Sequence, residues 1–265
     1  MLRKFSIITL VTLLLSGCSM PDQIDLTKSW SASQFYSEAK SALMDGDYDE
    51  AIKHYNGLQA RFPFGRYATQ SQLDIIYAHY KNSEPESAIM AADRFIKLNP
   101  QSPYVDYAYY MKGITNYNRN QSIFSRILPS DPSERDAGAA LDAFNDFDKL
   151  VRRYPDSRYS ADARQRMLYL RNNLAKYQIH IAEYYMRRGA YLAAANRANR
   201  VVTRFQRTDA MQRALEIMVD AYTRLGMTEL ADDARRVLTL NLENGRLNNP
   251  AEIETEKEVI SREPL

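Results

Sequence analysis

The 265 residues include one cysteine and three histidines. With Cys18 alone, no disulfide can form within the chain. His54, His79 and His180 each stand inside a helical pattern with no second ligand at a metal-binding spacing such as HExxH, so each reads as a packed or solvated helix residue. No G-x-S-x-G, P-loop or G-x-G-x-x-G occurs, and paired acids such as Asp232 and Asp233 are adjacent and point to different helix faces. The expectation is a protein that is not an enzyme and needs no cofactor or metal. An excess of one charge is missing as well: residues 18–265 carry 33 basic and 33 acidic side chains, which gives no reason to expect a nucleic-acid partner.

What the chain has is a repeated frame. Ala51, Tyr55, Leu58 and Pro63 set it: a small residue, bulky residues four and seven positions later, and a helix stop at the twelfth. It returns as Ala88, Ala92, Phe95, Pro100 and as Ala143, Phe147, Leu150, Pro155. Fainter copies run through Ala194, Ala198, Val201 and Ala231, Arg235, Leu238, with Gln206 and Glu243 in the proline place. Five positions before each alanine stands Gly46, Gly138, Gly189 or Gly226, with Ser83 the exception. Glycine supplies the positive φ of a tight helical turn, the +4 and +7 residues share one face, and proline ends the unit. Helix hairpins of about 34 residues punctuated in this way are the tetratricopeptide (TPR) signature. The fold class expected is all-α, an α-solenoid of about five TPR helix-turn-helix repeats.

Residues 1–17 read as a secretory signal peptide, with Arg3 and Lys4 ahead of an apolar run too short for a comfortable membrane span. Leu15 to Cys18 resembles the bacterial lipobox, which makes Cys18 the lipidation site; Ser19 in place of aspartate directs the protein to the outer membrane in lipoproteins of this type. Residues 18–31 are expected to form a lipidated tether and 32–242 the solenoid. An insertion over 119–136, with Pro129 and Pro132, delays the third repeat; Ile123, Phe124, Ile127 and Leu128 suggest a loop packed on a neighbouring repeat or a partner. Residues 160–188 contain no proline or glycine and read as one long helix. The last segment, 243–265, is acidic and is expected to be disordered.

Several runs resemble the BamD family of TPR lipoproteins, which belong to the outer-membrane β-barrel assembly (Bam) machinery. They are RFPFGRYATQSQLDIIYAHYKN at 61–82, DRFIKLNP at 93–100, YMKGITNY at 110–117, FDKLVRRYP at 147–155 and LAKYQIHIAEYYMRRGA at 174–190. Generic TPR similarity would reproduce the alanines and prolines but not PFGRY or LNP. The resemblance implies a lipid-anchored scaffold on the periplasmic face of the outer membrane. Its implied partners are the periplasmic domain of BamA, the lipoproteins BamC and BamE, unfolded β-barrel precursors and the inner leaflet of the outer membrane. A pilotin, a TPR lipoprotein that escorts secretin or pilus subunits, is a second reading in the same binding class. The helical superhelix of a peptidoglycan-cleaving lipoprotein is a third, although the chain has no room for its catalytic domain.

Two surfaces are candidates for these contacts. The first helices of TPR repeats line a concave groove, and here they carry Tyr67, Tyr77, Tyr80, Tyr107, Tyr109, Tyr110 and Tyr117. Tyrosine combines broad apolar contact with a polar tip. Tyr67, Tyr77 and Tyr80, taken to lie near the PFGRY turn, are the candidate precursor-binding residues. The second surface follows from six arginines between Tyr184 and Thr208, a stretch without aspartate or glutamate. On a helical wheel Arg197, Arg200 and Arg204 fall beside the Ala194, Ala198, Val201, Phe205 stripe. A solvated basic face would look the same. The resemblance marks Arg197 as the family's docking arginine toward BamA, with Arg200 and Arg204 beside it.

Overall fold

A computed structural model describes residues 27–119 and 137–243. Cys18 and the signal peptide lie outside the described residues, as do almost all of the expected insertion and tail and most of the tether. The described residues form ten helices and no strand: α1 (Ala32–Asp45), α2 (Tyr48–Arg61), α3 (Arg66–Lys81), α4 (Pro85–Leu98), α5 (Val105–Asn118), α6 (Ala137–Arg153), α7 (Ser160–Arg187), α8 (Tyr191–Arg204), α9 (Ala210–Arg224) and α10 (Thr228–Glu243). Each helix packs on the next in the chain. First helices of successive repeats also touch, α1 with α3, α3 with α5 and α7 with α9, so they form an inner row. The described residues form an all-α solenoid of five helical hairpins.

One turn geometry closes four of the five hairpins. Gly46, Gly189 and Gly226 have φ of 82°, 72° and 71°. The next N–H bonds back five residues each time: Asp47 to Ala42, Ala190 to Tyr185 and Met227 to Tyr222, at 2.9, 2.9 and 3.0 Å. Ser83 takes the same left-handed conformation (φ 61°), and Glu84 N–H bonds to the His79 carbonyl at 2.9 Å. The sequence exception is therefore no structural exception, though a side chain there carries strain that glycine avoids. Gly138 does differ from expectation. It lies in the first turn of α6, because residues 119–136 separate α5 from α6 and no tight turn is needed.

The frame is the core. Ala51, Tyr55, Leu58, Ala88, Ala92, Phe95, Ala143, Phe147, Leu150, Ala194, Ala198 and Val201 are all fully buried. A ring such as Phe147, removed wholly from water, contributes on the order of 1.5–3 kcal/mol. Its close approach to α5 depends on Gly113, where a Cβ would stand 2.5 Å from the Phe147 ring. In the fifth hairpin only the alanine of the frame behaves this way. Ala231 is buried, Leu238 is half-buried, and Arg235 points outward to pair with Asp232. Among the described residues no further helix covers α10, which leaves Leu230 and Val237 exposed. At the other end, Trp30 is packed rather than part of a free tether: its ring lies 5.0 Å from both Phe35 and His54.

Candidate functional site

In the N-terminal repeats the inner row is organised around a buried acid on α3. Asp74 accepts from the Tyr36 hydroxyl at 2.9 Å, the Tyr55 hydroxyl at 3.1 Å, Lys40 Nζ at 3.4 Å and Gln70 Nε2 at 3.2 Å. Four donors from three helices saturate it, so its charge ties α1, α2 and α3 together. Burial first, and then the Asp74 charge, push the Tyr36, Tyr55 and Tyr107 phenols above their ordinary range.

The three candidate tyrosines share α3 but not one spot. Tyr67 begins the helix beside the PFGRY turn, where Phe64 is 90% exposed and the Arg66 guanidinium lies 4.6 Å over the Tyr67 ring. Tyr77 and Tyr80 sit about 15 and 20 Å further along the axis. Helix length thus separates them from the turn they were expected to flank. Tyr67 packs against the Phe35, Leu58, Ala68 cluster, and Tyr80 accepts a hydrogen bond from Asn118 Nδ2 at 2.8 Å. Tyr77 is 37% exposed, with its ring 6.5 Å from that of Tyr80. Among the three it offers the most open surface.

A second tyrosine cluster bridges α5 and α7. Tyr110 stacks on Tyr159 at 4.7 Å and donates to Asp162 at 2.8 Å, while Arg166 bonds Asp162 and lies 4.9 Å over the Tyr117 ring. Burial, followed by Asp162, pushes the Tyr110 phenol up to about 12. For Asp162, burial acts to raise the pKa, but the hydrogen bonds from Arg166 and Tyr110 outweigh it and hold the acid below the usual range. Tyr159 and Asp162 were missed as groove residues. The available signal was the recurrence of GRY at 65–67 as SRY at 157–159, both at the start of a first helix and both with arginine over the tyrosine ring.

The C-terminal surface is built from α8. Ala194, Ala198, Val201 and Phe205 are buried as the wheel requires, and the arginines flank them. Arg197 is half-buried and donates to Gln178 Oε1 on α7 at 3.2 Å; Arg200 and Arg204 are exposed. None of the three has an ion pair among the described residues. On the helices that flank α8, Glu183 is engaged by Arg213 and Asp220 by Arg224, each at 2.8 Å. The result is a row of cations, one of them held in place by an amide, with no internal counter-charge. Among the described residues no cluster of three or more metal-ligating side chains exists, and no helix is long and apolar enough to cross a membrane.

This solenoid coincides with a known family. A family model described as outer membrane lipoprotein, YfiO, matches residues 28–238. The chain belongs to this family. Its relatives include the outer membrane protein assembly factor BamD of Neisseria meningitidis serogroup A, 41% identical over 244 residues and 91% of each chain. BamD of Vibrio cholerae is 38% identical, covering 86% of this chain and 94% of the relative. BamD of Haemophilus influenzae is 34% identical, covering 91% and 92%. The family model thus runs from just before the Trp30 contact into α10.

Proposed function

We propose that this protein is a lipid-anchored periplasmic scaffold of the Bam complex, without catalytic activity, that promotes assembly of β-barrel proteins into the outer membrane. Cys18 carries the lipid that holds it to the inner leaflet. The α8 arginines dock the periplasmic domain of BamA, BamC and BamE are the further partners, and the tyrosines of the inner row receive the unfolded precursor. The observation that carries this reading is the acid-free arginine face on a chain related to BamD along nine-tenths of its length. Arginine stays charged at any relevant pH, and its planar fork holds a carboxylate bidentately.

Among the three arginines Arg197 should matter most. It is half-buried and oriented by Gln178, and reversing a desolvated charge costs on the order of 2–5 kcal/mol in binding. Arg200 and Arg204 are exposed, and a wet rim charge contributes about 1 kcal/mol or less. For the precursor, Tyr77 has the most available ring, with Tyr67 and Tyr80 framing it along α3.

Co-purification from detergent-solubilised outer membranes tests the reading. The wild-type chain should bring down a β-barrel protein with periplasmic repeats, and Arg197→Glu should lose it while keeping its helical circular dichroism. Recovery of a secretin instead would favour the pilotin reading. Undiminished recovery by a well-folded Arg197→Glu protein would remove the docking role.

A further inference from the structure

Arg171, on α7, is a half-buried cation whose Nε–H is buried without a hydrogen-bond partner. Buried polar groups in native proteins nearly always have partners, and an orphaned one calls for a ligand, a water or an ion. α7 packs on both α8 and α9, and the antiparallel course of α7 and α8 brings the α8–α9 turn back alongside Arg171, with another cation, the exposed Arg207, on that turn. Arg207 itself is held in the left-handed region (φ 60°), a conformation that is unfavourable for a side chain. Neither arginine has an ion pair among the described residues. Asp209, two residues beyond Arg207, is exposed and forms no ion pair with either. The arrangement carries a buried N–H without an acceptor, a second cation rather than an acid beside it, and a strained backbone.

We infer that Arg171 and Arg207 are the two sides of a phosphate-binding site in the angle between α7 and the α8–α9 turn. An oxyanion supplies the missing acceptor and cancels the repulsion in one step. Two guanidinium charges with no acid between them match a phosphate, which carries about −1.5 to −2 at neutral pH, better than a single carboxylate. The arginine fork suits tetrahedral oxyanions bidentately. This site does not depend on the docking role of Arg197, which lies on α8 itself, before the α8–α9 turn.

Thermal unfolding of the full chain in inorganic phosphate, against chloride at equal ionic strength, tests the inference. Phosphate stabilises many proteins by exclusion from their surface, so the diagnostic quantity is the difference between the wild type and two variants. Arg171→Met keeps most of the aliphatic stem, and Arg207→Gly relaxes the left-handed turn. At saturating phosphate the wild type should gain about 2–4 °C more than either variant. Without phosphate both variants should unfold at or above the wild-type temperature. Vesicles of phosphatidylcholine with and without phosphatidic acid separate the sources: a gain specific to phosphatidic acid assigns the site to a lipid headgroup, and a gain with inorganic phosphate to a free anion. Equal gains in wild type and variants, or no gain with either source, would overturn the site. So would a phosphate-free loss of stability in both variants, since it would show that the guanidiniums already have their counter-charge.

Discussion

The two ends of this solenoid treat charge in opposite ways. In the N-terminal and central repeats each buried acid is answered from within: Asp74 by two tyrosines, Lys40 and Gln70, and Asp146 by Lys112, Lys149 and Asn116. On α8 the arginines stand without acids, and the carboxylates of α7 and α9 are engaged elsewhere. A charge that is internally saturated serves the fold, because removing it leaves several donors stranded. A charge left unanswered adds little to folding and keeps its interaction energy for something outside the chain. The same helical hairpin therefore supports self-sufficient acid networks in one part of the solenoid and, on α8, a row of arginines without internal counter-charge.

Asp74→Ala gives the largest expected effect. It strands two tyrosine hydroxyls and an ammonium in a half-dry groove, and should cost on the order of 2–4 kcal/mol of folding stability. A urea midpoint that barely moves would mean that the N-terminal network is not what binds α1, α2 and α3, and the contrast between the halves would fail. Acid separates the central acids from each other. Burial outweighs Lys112, Asn116 and Lys149 to hold Asp146 above its usual range. Its folded form thus takes up a proton before the unfolded chain does, and stability rises slightly as pH falls toward the ordinary carboxylate range. Asp162 is depressed, so its contribution is present above about pH 4 and is lost on further acidification. In unfolding midpoints measured across pH, Asp146→Asn should abolish the rise and Asp162→Asn should soften the acid fall. The smallest effect has the opposite sign. Ser83→Gly relieves the one non-glycine hairpin turn and should stabilise by about 0.5–1 kcal/mol, read as a higher melting temperature; destabilisation would mean that the Ser83 side chain contributes more than its strain costs.

The hairpins were legible because their determinants are local. An alanine with aromatic or aliphatic residues at +4 and +7 lies on one helical face wherever the helix docks, and the turn residue follows from φ alone. The α8 arginine flank was legible for the same reason. The Asp74 hub was not, since its partners Tyr36, Lys40 and Tyr55 lie 38, 34 and 19 residues away and meet only when three helices are stacked. Gly138 was misassigned because the intervening segment shifts the register between frame and turn. Tyr67 and Tyr77 looked adjacent through a shared sequence run, yet a helix carries them apart along its axis. In α10 the frame predicted a buried face for Arg235, but a stripe is buried only where another helix arrives to cover it.

The most direct test of the contrast is one protein measured two ways. Arg197, Arg200 and Arg204 are changed together to glutamate, and the urea midpoint is set beside the affinity for the purified periplasmic domain of BamA. The account predicts a midpoint within about 0.5 kcal/mol of the wild type, together with a loss of affinity of at least a hundredfold. A protein that loses stability but binds as before would contradict it, because the arginines would then belong to the fold and not to the partner.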